Sequence, residues 1–472
     1  MDALNAATFF VDRHVREGRG GRTVFRANGR SMTYAELADG QNRFGNALLE
    51  LGLDAEQRVL LAIPDSPAFA IVFWAVVKLG AVAVPVNPLS SAADLEYLLN
   101  DGRARVAVVD ESVAATLAGV RDRVRWLRAI VVVGDGPAGT LAFEPLLQRS
   151  SATLEPASTH REDVSNWAYT SGSTGAPKAA VHLHKDLVAA AELVGGGVFE
   201  IAEDDLVFSA SKMFFTFGLG NTLLFPARAG GASVLVPERL DPERAFDVIT
   251  RERPTVFFAV ATLYARMLQV ADAERRFDLS SLRLCVSSGE ALPPPVFDAW
   301  QSRFGLELVD VVGSTEALHD FIANRPGKVR RGSCGQLVPG FEARLVDGDG
   351  QPVPIGTVGH LLIRGETTAP CYWKRLERTR ATMQGEWLRT GDMMWCDDDG
   401  YFYFAGRSDD MLKVSGMWVS PAEVEAALCA HPAVLEAALV ARRDGEGLVN
   451  PCAVVVVNDG WMPSSRLAAE LQ

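Results

Sequence analysis

Three observations predict an α/β fold with layered, mostly parallel sheets. Short β-branched runs alternate with Ala/Leu-rich stretches of helical period along most of the chain. The composition, 48% apolar and 22% charged, is that of an ordinary globular protein and excludes collagen, coiled coil and disorder. Finally, 472 residues at about 150 per domain leave room for two to three domains, or one large domain with an appendage.

Strands are expected at Arg58–Ile63, Ala104–Val109, Ala129–Val133 and Ala232–Val236, and helices at Tyr34–Gly52 and Pro67–Gly80. The longest apolar run, Ala68–Val77, ends at Lys78. It falls well short of the roughly 20 residues that span a membrane and reads as a buried helix. After about Gly340 the texture changes. Asp347-Gly348-Asp349-Gly350 and Asp397-Asp398-Asp399-Gly400 are turns flanked by strand-like runs at 342–346, 360–364 and 401–404, the pattern of antiparallel hairpins. Arg407-Ser408-Asp409-Asp410 is a polar link. Beyond it Ser420-Pro421-Ala422-Glu423 is a capping box with proline at the first helical position. It opens a helix with Val424, Ala427 and Leu428 on one face, and strand-like runs follow at 437–441 and 453–457. The expected organisation is a large N-terminal domain, 1–406, with a β-rich subdomain at about 341–406. A small α+β domain, 407–472, follows it. The chain stops inside an amphipathic helix that begins at Ser464, so that domain is expected to be truncated.

The net charge of −13 argues against nucleic acid or an anionic membrane as partner, so an anionic ligand must be held locally. Six cysteines show neither a C-x-x-C pair nor histidines at zinc spacing. Reduced, mostly buried thiols are the expectation. Residues 1–20 carry Asp2, Asp12 and Glu17 and no apolar core, which predicts a cytoplasmic protein without a signal peptide.

The chemistry is concentrated in four clusters. The first is Trp167-Ala168-Tyr169-Thr170-Ser171-Gly172-Ser173-Thr174-Gly175-Ala176-Pro177-Lys178. Its glycines and hydroxyls can aim backbone N–H and O–H groups at a polyanion while Lys178 adds a full charge. It is not a Walker A loop, because two residues separate Gly172 from Gly175 and Lys178 follows Pro177. The second is Val311-Val312-Gly313-Ser314-Thr315-Glu316 at the end of a strand-like run. A hydroxyl beside a carboxylate suits a hydrated Mg²⁺ on phosphate oxygens, with a helix cap as the plainer alternative. The third is the turn Ser287-Ser288-Gly289-Glu290-Ala291. The fourth combines Arg389-Thr390-Gly391-Asp392 with Gly406-Arg407. There Asp392 can accept two ribose hydroxyls and Arg407 can donate to ribose or phosphate.

In this order and spacing the four clusters resemble the adenylate-forming superfamily of acyl-CoA ligases, luciferases and peptide-synthetase adenylation domains, over nearly all of residues 5–472. Phe214-Phe215-Thr216-Phe217-Gly218-Leu219-Gly220-Asn221, Gly313 to His319, Asp409 to Gly416 and Val419 to Glu425 are similar to the benzoate–CoA ligase branch. The resemblance implies an AMP-forming acid–thiol ligase that uses ATP, Mg²⁺ and coenzyme A. An aromatic carboxylic acid would be joined to AMP with loss of pyrophosphate, then passed to the thiol. It further implies that Thr170 to Gly175 and Lys178 form the phosphate loop, that Gly289, Glu290 and Ala291 lie along adenine, and that Asp310 meets its amino edge. Val311, Val312, Gly313 and Ser314 would complete the nucleotide site. Thr315 would touch the α-phosphate, Glu316 would take the metal, and Asp392 and Arg407 the ribose. Asp409 would be the hinge of the small domain, and Lys413, Ser415 and Gly416 would meet the pantetheine thiol. The acid slot would be lined by Phe214, Phe215, Thr216, Phe217, Val260, Gly289, Gly313 and His319, with His319 facing the carboxylate and counted with Lys178, Thr315 and Glu316 among the catalytic residues. Plain core packing competes for each phenylalanine, and a helix cap competes for His319.

The sequence departs from the family pattern in three places. Val312 stands where the family often has an aromatic residue. Ala259, Ala261 and Leu263 replace glycine and proline positions, which can reshape the slot. No lysine occurs after Lys413, whereas the family carries a near-terminal lysine for adenylation; a missing C-terminal segment is the expectation. Loading of a carrier-protein phosphopantetheine, and a poorly catalytic nucleotide-binding fragment, stay open as alternatives. So does a homodimer.

Overall fold

The computed structural model describes residues 2–170, 176–408, 412–414, 417–419, 421–443 and 449–471. They form two large mixed sheets, a smaller antiparallel sheet and a small C-terminal α+β unit. The first sheet runs in the order Leu141–Ala142, Ala129–Val133, Val106–Asp110, Arg58–Ala62, Val82–Pro85, Val164–Thr170, Lys178–Leu183. Its neighbours are parallel except the last pair, which is antiparallel. In the second sheet, strands Thr23–Ala27, Ala232–Leu235, Leu206–Ser209, Val256–Ala259, Leu284–Ser287 and Leu308–Gly313 are parallel neighbours. Arg30–Thr33 closes one edge, and Asp320–Ala323 with Gln336–Leu337 closes the other, all antiparallel.

One apolar core joins the facing surfaces of the two sheets with the helices between them. Helix Pro67–Lys78 is central to it. Ser66 caps it by accepting from the Phe69 N–H, and everything from Phe69 to Lys78 is buried. Lys78, which ends the apolar run, is buried too, because its ammonium meets Asp12 at 2.7 Å and Asn42 at 2.8 Å. Helix Tyr34–Glu50 opens with a capping box between Thr33 and Glu36.

The section after residue 340 is antiparallel, as its Asp-Gly turns predict. Glu342–Val346 pairs with Gly359–Arg364, which pairs with Trp387–Cys396, which pairs with Phe402–Arg407. Beyond lie helix Pro421–Cys429, the antiparallel pair Val434–Arg443 and Val449–Val457, and helix Ser465–Glu470, which buries Leu467. All six thiols are free, but only Cys285 and Cys334 are buried and the other four are half-buried. Among the described residues no helix is long and apolar enough to cross a membrane.

Candidate active site

Thr170, Val260, Gly289 and Gly313 lie at or just beyond the carboxyl ends of parallel strands, where ligands of open α/β sheets bind. Thr170 ends one strand of the first sheet and Lys178 begins the next. The two are register partners, so the pair brackets the phosphate-loop sequence. Ser171 to Gly175 themselves lie outside the described residues, as do Asp409, Ser415, Gly416 and the Lys413 side chain.

Lys178 heads a chain of polar contacts. Its ammonium donates to the Tyr372 hydroxyl at 2.8 Å and lies 4.0 Å from the centre of that ring. The hydroxyl in turn donates to Glu316 Oε1 at 2.5 Å, which leaves Lys178 and Glu316 3.6 Å apart. Burial holds the Lys178 ammonium below its ordinary range against the pull of Glu316. Burial first, and Glu316 second, push the Tyr372 phenol far up, so it stays a proton donor. Sequence reasoning missed Tyr372. It sits in a loop, and only pairing of residues 371–373 along Lys178–Leu183 brings its hydroxyl between the two charges. In that pairing the Trp373 N–H donates to the Ala179 carbonyl at 2.9 Å and the Val181 N–H to Cys371 at 3.1 Å.

Glu316 and Thr315 occupy a single 3₁₀ turn, Thr315–Ala317, after strand Leu308–Gly313. Ser314 caps it, its hydroxyl accepting from the Ala317 N–H at 3.2 Å. Leu318 closes it at φ +65°, a left-handed conformation that a branched residue keeps only when its surroundings enforce it. Gly313 must be glycine for contact reasons, since a Cβ would lie 2.7 Å from Asp320 Oδ1 and from the His319 carbonyl. No cluster of three or more potential metal ligands occurs among the described residues. One carboxylate beside one hydroxyl is the donor set of a Mg²⁺ that keeps most of its water and binds mainly through phosphates.

Around the nucleotide region, Glu290, Ala291 and Asp310 line a cleft of about 970 Å³ together with Cys334, Trp395 and Tyr403. Asp310 is buried, its Oδ1 without a hydrogen-bond partner among the described residues, and burial pushes its carboxyl well up. Such a group is suited to a ligand's polar edge. Glu290, by contrast, is exposed and committed to helix Ala261–Met267, accepting from the Thr262 N–H at 3.0 Å and hydroxyl at 2.7 Å. Val311 is core, while Val312 is half-buried against it. Asp392 and Arg407 are register partners on adjacent strands and pair at 2.6 Å. Burial raises the Asp392 carboxyl despite the guanidinium.

Of the slot residues, Phe217 packs on His319, and Val260 lies against Gly289. Phe217 is half-buried, its ring 5.4 Å from His319 and edge-on to Phe258 at 6.0 Å. A Cβ on Gly289, at φ +86°, would sit 3.7 Å from Val260. Phe215 is 56% exposed, its ring tilted against that of half-buried Phe214 at 4.3 Å. Thr216 is half-buried at the start of helix Thr216–Leu219. The His319 ring is wedged between Phe217 and Phe225, with Nε2 3.3 Å from the Phe217 carbonyl and Nδ1 3.0 Å from Asp320 Oδ2. The helix-cap alternative for His319 is ruled out, because Asp320–Ala323 is a strand. Asp65, also missed from the sequence, anchors the slot loop from behind. It is 4% exposed, its Oδ1 accepts from the Met213 N–H at 2.9 Å, and burial pushes it up to about 6.

Known proteins resemble this chain over nearly its whole length. A family model for AMP-binding enzymes matches residues 11–373, and one for the AMP-binding enzyme C-terminal domain matches residues 423–472. A benzoate–CoA ligase of Thauera aromatica is 45% identical over 100% of this chain and 89% of its own. A 4-hydroxybenzoate–CoA/benzoate–CoA ligase of Rhodopseudomonas palustris is 43% identical over 96% of this chain and 84% of its own. Among solved structures, a benzoate–CoA ligase from Burkholderia xenovorans superposes with a TM-score of 0.92 at 39% identity, covering 99% of this chain and 92% of that one.

Proposed function

We infer the activity from one premise: this chain belongs to the AMP-binding enzyme family. It is an AMP-forming acid–CoA ligase for an aromatic, benzoate-like carboxylic acid. ATP and the acid give acyl-AMP and pyrophosphate, and coenzyme A then takes the acyl group and releases AMP. The observation that carries this reading is the Lys178–Tyr372–Glu316 chain set beside an aromatic slot.

Attack of a carboxylate on the α-phosphorus brings two anions together, so positioning and charge neutralisation are the main tasks. Lys178 supplies the cation at the phosphate loop, and the Thr315 hydroxyl lies one residue from the Glu316 carboxylate on a rigid turn. Glu316 and Thr315 would hold Mg²⁺, which when bound neutralises phosphate oxygens. Asp392, fixed by Arg407, would accept from the ribose hydroxyls, and Asp310 would meet the adenine edge. Phe217 and Val260 would flank the ring of the acid over the floor made by Gly289 and Gly313. His319, packed between Phe217 and Phe225 with Nε2 on the Phe217 carbonyl, would form a wall of that slot.

A panel of acids tests the reading through pyrophosphate release, with and without coenzyme A. Benzoate or a small ring-substituted relative should outpace acetate and palmitate. A preference for palmitate would overturn the slot assignment.

A further inference from the structure

We propose that His182 is a positioning residue for the Thr315–Glu316 turn, holding it in register with Lys178; the proposal rests on the reading that this turn handles the phosphates and metal of ATP. Successive side chains of a strand alternate faces, so Lys178, Ala180 and His182 share one face of Lys178–Leu183. Lys178 lies 3.6 Å from the Glu316 carboxylate at one end of that face. Two pleats on, His182 Nε2 lies 2.8 Å from the Thr315 carbonyl. A carbonyl only accepts, so Nε2 is the donor. One strand face thus grips two consecutive residues of the turn, and Ala180 between them forms a bridge with Tyr372.

The grip is rigid because its own support is buried. His182 and Asp186 have no exposed side-chain surface, and Nδ1 lies 3.2 Å from Asp186 Oδ2. The Leu183 N–H donates to the same Asp186 oxygen at 3.0 Å, and the Lys185 ammonium lies 3.3 Å from the other. The next two carbonyls of the turn are held by residues of a separate segment, 367–369. The Ala369 N–H donates to Glu316 at 2.7 Å, and the Thr367 hydroxyl to Ala317 at 2.7 Å. Three consecutive carbonyls tied to two separate segments, one a strand and one a loop, account for Leu318 keeping its positive φ. Losing the His182 donor leaves the first of them with only the Leu318 N–H, at 3.2 Å, and lets the turn relax away from Lys178.

The test compares His182→Leu, His182→Gln, Asp186→Asn and Glu316→Ala by steady-state adenylation with varied ATP, Mg²⁺ and benzoate. In His182→Leu, kcat should fall about 10–100-fold, the effect of misplacing reacting groups by about an ångström. The Mg²⁺ concentration for half activity should rise while the benzoate KM stays within about two-fold. His182→Gln, which keeps an N–H donor at similar reach, should recover most of the loss. Asp186→Asn, which leaves the ring but loosens it, should fall between them, and it decides the matter if the leucine variant does not fold. Equal activity of the leucine and glutamine variants, or an unchanged ATP and metal response in Asp186→Asn, would overturn the proposal. If Glu316→Ala itself keeps wild-type ATP and metal responses, the underlying reading of the turn fails instead.

Discussion

Removing a single oxygen, in Tyr372→Phe, probes the polar chain that joins the two charged site residues. The hydroxyl makes two hydrogen bonds, accepting from Lys178 at 2.8 Å and donating to Glu316 at 2.5 Å, and its residue is 3% exposed. The ring remains in the phenylalanine variant, so the ammonium keeps its place over the aromatic face. What is lost is the spacer between Lys178 and Glu316, which can then close from 3.6 Å to a direct ion pair that incoming ATP must break. A hydrogen bond to a charged group is worth about 1.5–3 kcal/mol, which corresponds to a fall of roughly 10–150-fold in kcat/KM for ATP. Pyrophosphate release with saturating benzoate and varied ATP measures it. The benzoate KM should move less than about two-fold, because the change touches no slot residue. A variant with unchanged ATP kinetics, or one that loses benzoate affinity alone, would refute the reasoning.

Three further perturbations separate the parts of the site. Phe217→Ala removes the ring that packs on His319 and Phe258. It should raise the benzoate KM at least about ten-fold, the worth of a lost aromatic contact of ~1.5 kcal/mol, with the ATP KM unchanged. Arg407→Leu leaves the buried Asp392 carboxyl without its partner at 2.6 Å; ATP titration should show weaker nucleotide binding while benzoate selectivity is kept. Asp65 is raised from 3.8 to about 6 by burial, so the folded state holds its proton more tightly than the unfolded chain. Stability is therefore lost as pH rises from about 4 to about 6, by on the order of 3 kcal/mol at ~1.4 kcal/mol per decade. Asp65→Asn should abolish that part of the pH dependence in denaturant titrations, and an identical pH profile would argue against an ionisable carboxyl buried there.

The sequence made the fold legible where local signals are strong. Strand runs such as Ala129–Val133 and the Asp-Gly hairpins of the antiparallel sheet fall within about three residues of their expected places. The site motifs were legible because glycines, hydroxyls and a placed lysine have little use in a core. Tyr372, His182 and Asp65 were not, because each acts through a partner distant in sequence. Tyr372 is 194 positions from Lys178, and His182 is 133 from Thr315. An aromatic run likewise does not say which ring a turn will leave exposed, as it does Phe215. Glu290 could have been found as a cap only by knowing that its turn abuts the helix at Thr262.

Product analysis of one reaction tests the central claim most directly. Incubated with benzoate, ATP, Mg²⁺ and coenzyme A, the protein is predicted to form AMP, pyrophosphate and benzoyl-CoA in equal amounts. Formation of ADP and phosphate, or of benzoyl-AMP that coenzyme A does not consume, would contradict it.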